Sequence, residues 1–193
     1  MERRSSSSFS LRNLVQVSVL GGLAYLLTYL SVPLIPIAPY MKLDFGDIPI
    51  LLATVLISTR SGLIVAVLRA LLYFIFTGPS LISLIGVMAL LIASITIVLS
   101  VTVADKMFEG KKKYIAMILI ETLMLTIVMS LLNYLIITPL YISLAGFKLS
   151  FSLLDSIIYT VAPFNLLKGL FVGIVFVIIY NRSNAWSKYK EKR

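Results

Sequence analysis

The chain has 193 residues, of which 60% are hydrophobic and only 13% charged, with a mean hydropathy of +1.03. A soluble domain typically carries about 25% charged and 45–50% apolar residues, so a water-exposed fold cannot hide this much apolar surface and lipid is the solvent. Cysteine and histidine are both absent, which excludes thiol nucleophiles, Cys/His zinc sites, haem ligation by histidine and Ser-His triads. The net charge of +9 sits at the chain ends and in short loops. That distribution fits a membrane surface, and no basic stripe with interleaved aromatics suggests nucleic acid.

Residues 1–10, with Arg3 and Arg4 before a serine run, read as a flexible tail. The apolar run Leu14–Val32 outlasts the short core of a signal peptide and is read as a retained first helix. Within it Ser18 and Gly22 are small residues four apart, a spacing that lets helix backbones approach closely. They serve either packing inside the bundle or a face for another membrane protein. The next apolar runs, Ile48–Ser58 and Gly62–Phe76, are short. They form one long span, a re-entrant hairpin or two spans, and charge favours two. In a single span Arg60 would lie near the bilayer centre at an insertion cost of about 2.5–3.5 kcal/mol, whereas a tight hairpin eased by Gly62 brings it to the interface. Leu81–Val103, Tyr114–Ile137 and Ile157–Tyr180 complete six runs. A hydrocarbon core of about 30 Å needs about 20 helical residues.

Six spans place Arg3, Arg4, Arg12, Arg60, Lys106, Lys111, Lys112, Lys113, Arg182, Lys188, Lys190, Lys192 and Arg193 on one side. Only Lys42 and Lys148 fall on the other. Lys and Arg collect on the cytoplasmic side. The expectation is therefore an all-α, six-transmembrane-helix bundle, one multi-pass domain over 1–193, with both termini cytoplasmic and 183–193 a basic tail.

Polar groups inside spans need a reason. With Pro163 in the first turn of the last helix, Asn165 and Lys168 share one face in the outer third of the membrane. Asn133 lies about 28 Å from the inner end of its span, and Asp47 heads the second span from outside. All four reach one outer depth, either as a joint outward-facing site or as separate capping residues. Arg69 and Glu121 have similar depths, about 10–13 Å from the inner ends of their spans, and are expected to form a structural ion pair. Asp44 and Asp47 without further ligands make a poor metal site, so a membrane enzyme is disfavoured. No G-x-x-x-x-G-K-[ST] loop is present; if the chain transports, its energy comes from partner subunits.

The segment Lys42-Leu43-Asp44-Phe45-Gly46-Asp47-Ile48-Pro49, together with the later Asn165-x-x-Lys168, resembles the riboflavin-specific S components of energy-coupling-factor (ECF) transporters. The resemblance extends along nearly the whole chain. It implies a bacterial cell-membrane protein with an outward-facing vitamin pocket covered by the loop between spans one and two. It also implies a transmembrane coupling subunit and two cytoplasmic ATPases as partners, riboflavin as the transported ligand, and no cofactor. Asn133, Asn165 and Lys168 would meet the polar edge of the ring, with Asp47 as counter-ion. Lys42 and Asp44 would face the ribityl hydroxyls, and Tyr40, Met41, Leu43 and Phe45 would cover the ring. In such families an Ala-x-x-x-Ala pattern on span one contacts the coupling subunit, and Ser18 and Gly22 stand there in this chain. Another vitamin, or a membrane protein that acts only through contacts at Ser18 and Gly22, remain the alternative readings.

Overall fold

A computed structural model describes residues 11–36, 38 and 41–191, with side chains described as far as 182. Tyr40 and the 1–10 tail lie outside the described residues. The elements in order are α1 (Leu11–Thr28), β1 (Ser31–Pro33), β2 (Lys42–Asp44), α2 (Asp47–Leu56), α3 (Thr59–Thr77), α4 (Leu81–Met107), α5 (Gly110–Leu132), α6 (Thr138–Ala145), α7 (Leu153–Ser156) and α8 (Ala162–Glu191). Two five-residue π-helical turns, Asn133–Ile137 and Ile157–Val161, join α5 to α6 and α7 to α8 without a break. Among the described residues, five continuous helical runs are long and apolar enough to cross a membrane, and α2 is an apolar helix of 10 residues.

The bundle turns its large apolar side chains outward. Leu11, Val19, Phe76, Leu81, Ile115 and Ile127 are each at least 60% exposed, whereas Arg69, Asp47 and Glu121 are fully buried. Such an arrangement suits lipid and not water. Beneath that surface, α2 lies between two apolar clusters. Ile50 and Ala53 pack with Val17 and Ala24 of α1, Val65 and Ala66 of α3 and Val98 of α4. Leu51 packs toward α4, α5 and α8 with Ile97, Met117, Leu125 and Phe176. At 1.5 Å per residue α2 is about 15 Å long, half of a hydrocarbon core; its first five residues, Asp47–Leu51, are buried, whereas Leu56 at its other end is exposed.

The hairpin expected at Arg60 is formed. Ser58 caps α3 by accepting from the Ser61 backbone N–H at 3.1 Å, and Arg60 is exposed. The expected role of Gly62 needs correcting. It lies in the first turn of α3, where a Cβ would stand 2.0 Å from Thr54 Oγ1. It permits close contact between α2 and α3 and does not ease the turn.

Pro163 also sits elsewhere than expected. Its helix has already run from Leu153 through a π turn, and Pro163 is the second residue of α8. Proline removes one i→i−4 bond and clashes with the carbonyl four residues back. The π turn relieves this by shifting the register, so that the Ala162 N–H bonds Ile157 O. Pro139 repeats the device: it follows the other π turn, where the Thr138 N–H bonds Asn133 O.

Candidate ligand cavity

Strand β2 pairs antiparallel with β1, Val32 facing Leu43 and Pro33 facing Lys42. Alternation along β2 puts Lys42 and Asp44 on one face and Leu43 on the other. Lys42 and Asp44 line a cavity of about 380 Å³ with Met41, while Leu43 is buried in the apolar core. The expected cover of a ring by Leu43 is thus corrected by strand pleating. Phe45 does not line the cavity either; it packs edge-on to Phe171 with ring centres 5.6 Å apart.

The opposite wall comes from the two π-turn regions, which touch each other. Asn133 opens the first, and Asn165 follows the second; both line the cavity with Lys168. Each asparagine donates its side-chain amide to the backbone carbonyl four residues earlier at 2.8 Å, Asn133 to Met129 and Asn165 to Val161. This anchors the amide groups in one orientation. Tyr141, Phe147 and Phe164 supply aromatic walls, and α4 contributes Gly86, Ala89, Leu90 and Ala93.

Behind Lys168 is a buried network of four charges. Its Nζ lies 2.9 Å from Asp47 Oδ2 and 3.5 Å from Asp44 Oδ2. Arg69 binds the other oxygen of each carboxylate: Nη1 donates to Asp47 Oδ1 at 2.7 Å, and Nη2 to Asp44 Oδ1. Ser94 of α4 donates to Asp47 Oδ1 at 2.6 Å, and Thr28 of α1 accepts from Arg69 Nε at 2.9 Å. Two cations balance two anions, as buried charges require. Asp47 therefore stands behind the cavity wall as a counter-ion and does not line the cavity itself.

The expected Arg69–Glu121 ion pair is not formed. Glu121 is on α5, which packs on α4 and α8, while α3 packs on α1, α2 and α4. A similar residue count from the inner ends does not make these two helices packing partners. Both Glu121 carboxylate oxygens are buried without a hydrogen-bond partner among the described residues. The true partner was available from the sequence, since Asp47 and Arg69 lie equally far from the Ser58 turn and so stand level across the hairpin. Tyr141, Phe147 and Phe164 had no comparable polar signal.

Gly46 explains one more feature of the Lys42–Pro49 segment. Its N–H donates to Asp44 Oδ1 at 2.9 Å, and a Cβ there would come within 2.6 Å of the Arg69 guanidinium and 2.7 Å of Ala24 O. Only glycine lets the chain pass over the buried arginine.

A family model described as ECF transporter, substrate-specific component, matches residues 12–180. The chain is 34% identical to riboflavin transporter RibU of Streptococcus thermophilus, over 88% of its own length and 81% of that protein. It is 33% identical to riboflavin transporter RibU of Staphylococcus aureus, over 93% and 94% respectively. It is also similar to a solved structure described as the S component of a bacterial ECF transporter, with a TM-score of 0.78 and 33% identity over 92% of this chain and 98% of that one.

Proposed function

Since this chain belongs to the ECF transporter substrate-specific components, we propose that it binds riboflavin and delivers it to partner subunits for ATP-driven uptake. The observation that carries the ligand reading is the convergence of Asn133, Asn165 and Lys168 on one aromatic-lined cavity of about 380 Å³. That volume lies within the roughly 300–1,000 Å³ of small-molecule sites. The isoalloxazine ring is flat and neutral, with carbonyl oxygens, ring nitrogens and one N–H along an edge. Two asparagine amides offer both donors and acceptors to that edge, and Lys168 offers a charged donor. Tyr141, Phe147 and Phe164 suit its faces. Lys42 and Asp44 suit the ribityl hydroxyls.

The membrane arrangement follows from charge. Six spans within one domain, α2 counted as the short one, put Arg12, Arg60 and Lys111–Lys113 on the cytoplasmic side with both termini, and Lys42 and Lys148 outside. The cavity then faces the cell exterior in a bacterial membrane. On α1, Ser18 is exposed and a Cβ at Gly22 would meet nothing within 4 Å. This open small-residue stripe is the face assigned to the transmembrane coupling subunit, with two ATPases below it. The test is a flavin absorbance spectrum of the purified chain, with other vitamins as competitors. Bound flavin that only riboflavin-like molecules displace supports the reading; displacement by an unrelated vitamin overturns it.

A further inference from the structure

Arg69 is fully buried and does not line the cavity, yet its guanidinium engages four side chains. Nε donates to Thr28 Oγ1 at 2.9 Å, Nη1 to Asp47 Oδ1 at 2.7 Å and Ser94 Oγ at 3.3 Å, and Nη2 to Asp44 Oδ1. The two carboxylates divide their oxygens in the same way: Oδ1 of each goes to Arg69, and Oδ2 of each goes to Lys168. We propose that Arg69 is a positioning residue for ligand binding, which fixes both carboxylates from behind and thereby sets where they hold the Lys168 ammonium at the cavity wall. The proposal rests on the reading of this cavity as the riboflavin site.

The chemistry favours this division of labour. A guanidinium is a rigid planar fork that can hold two carboxylates at once, whereas an ammonium on a flexible stem is a point charge. Without the fork the two carboxylates are no longer held from behind, and they turn with the Lys168 ammonium, drawing it inward and away from the ligand. Thr28 stiffens the arrangement from the far side. Its hydroxyl donates to Ala24 O at 2.9 Å, which turns a lone pair toward Arg69.

A purely structural Arg69 would harm the protein whether or not Lys168 is present, so a double-mutant cycle separates the two roles. Riboflavin is titrated by flavin fluorescence into the full chain in detergent, for the parent, Arg69→Lys, Thr28→Val, Lys168→Gln and the two doubles with Lys168→Gln. Arg69→Lys keeps the charge but cannot span both carboxylates and Thr28, and is expected to weaken binding about tenfold. Thr28→Val is nearly isosteric and remote from the cavity, and is expected to weaken it about threefold. In the Lys168→Gln background both further losses shrink to less than about 1.5-fold. Equal losses in the two backgrounds, or no loss with Lys168 present, overturn the proposal. If Arg69→Lys does not fold, Thr28→Val and its double decide alone. Absence of riboflavin binding in the parent is a separate result, which overturns the flavin reading and this proposal with it.

Discussion

Burying an ionisable side chain within a span is costly without partners, and Arg69 and Glu121 show the two extremes. Arg69 has two carboxylates and two hydroxyls around it; Glu121 has no hydrogen-bond partner among the described residues. Breaking a buried pair from one side leaves the other charge uncompensated, at about 3–5 kcal/mol. Asp47→Asn is accordingly expected to lower the thermal midpoint in detergent strongly. Glu121→Gln removes no partner, and its midpoint is expected to equal or exceed the parent's. A marked loss in Glu121→Gln would show that the carboxylate has a structural partner after all. Gly46→Ala drives a methyl group into the Arg69 guanidinium. It should behave like Asp47→Asn, which the same melting measurement checks.

Helix pairing explains which parts of the bundle could be read in advance. Five of the six apolar runs mark helices long enough to span, because lipid imposes a length requirement that the composition must satisfy; α2 falls short of it, and the first run overshoots its helix, since Ser31–Pro33 is strand β1. The two π turns were not legible: nothing at Asn133 or Ile157 departs from a plain helix pattern, and only the following Pro139 and Pro163 hint at a register shift. That shift matters for the site, since Asn133 opens the first π turn and Asn165 follows the second by four residues. The α5–α8 contact has only a faint mark in the sequence, Gly169 and Gly173 standing four apart. A Cβ at Gly169 would lie 2.7 Å from Thr122 Cα, and one at Gly173 would lie 3.2 Å from Ile118 Cα and 2.6 Å from Glu121 Oε1. Close backbone approach of this kind drives helix association in lipid. Gly173→Val is expected to separate the helices, at a cost of about 1–3 kcal/mol, and to loosen the cavity wall that Asn165 and Lys168 share. Parent-like melting and binding by Gly173→Val would contradict that packing role. Within the site, the polar residues were legible because membrane spans rarely hold them, whereas Leu43 was misjudged because strand pleating, and not composition, decides its direction.

For the molecule as a whole, function depends on which way the bundle faces and on what its cavity holds. The sequence lacks cysteine, so single cysteines report topology cleanly. A membrane-impermeant maleimide added to intact cells is expected to label Lys148→Cys, and to label Lys111→Cys only after lysis; the reverse pattern would invert the bundle. Ligand identity is tested most directly by titrating riboflavin into the purified chain and into its Asn165→Ala and Lys168→Ala variants, with flavin fluorescence as the readout. The account predicts saturable binding to one site in the parent and an affinity more than about tenfold weaker in each variant. Unchanged affinity in both variants, or a parent that does not bind riboflavin, would contradict it.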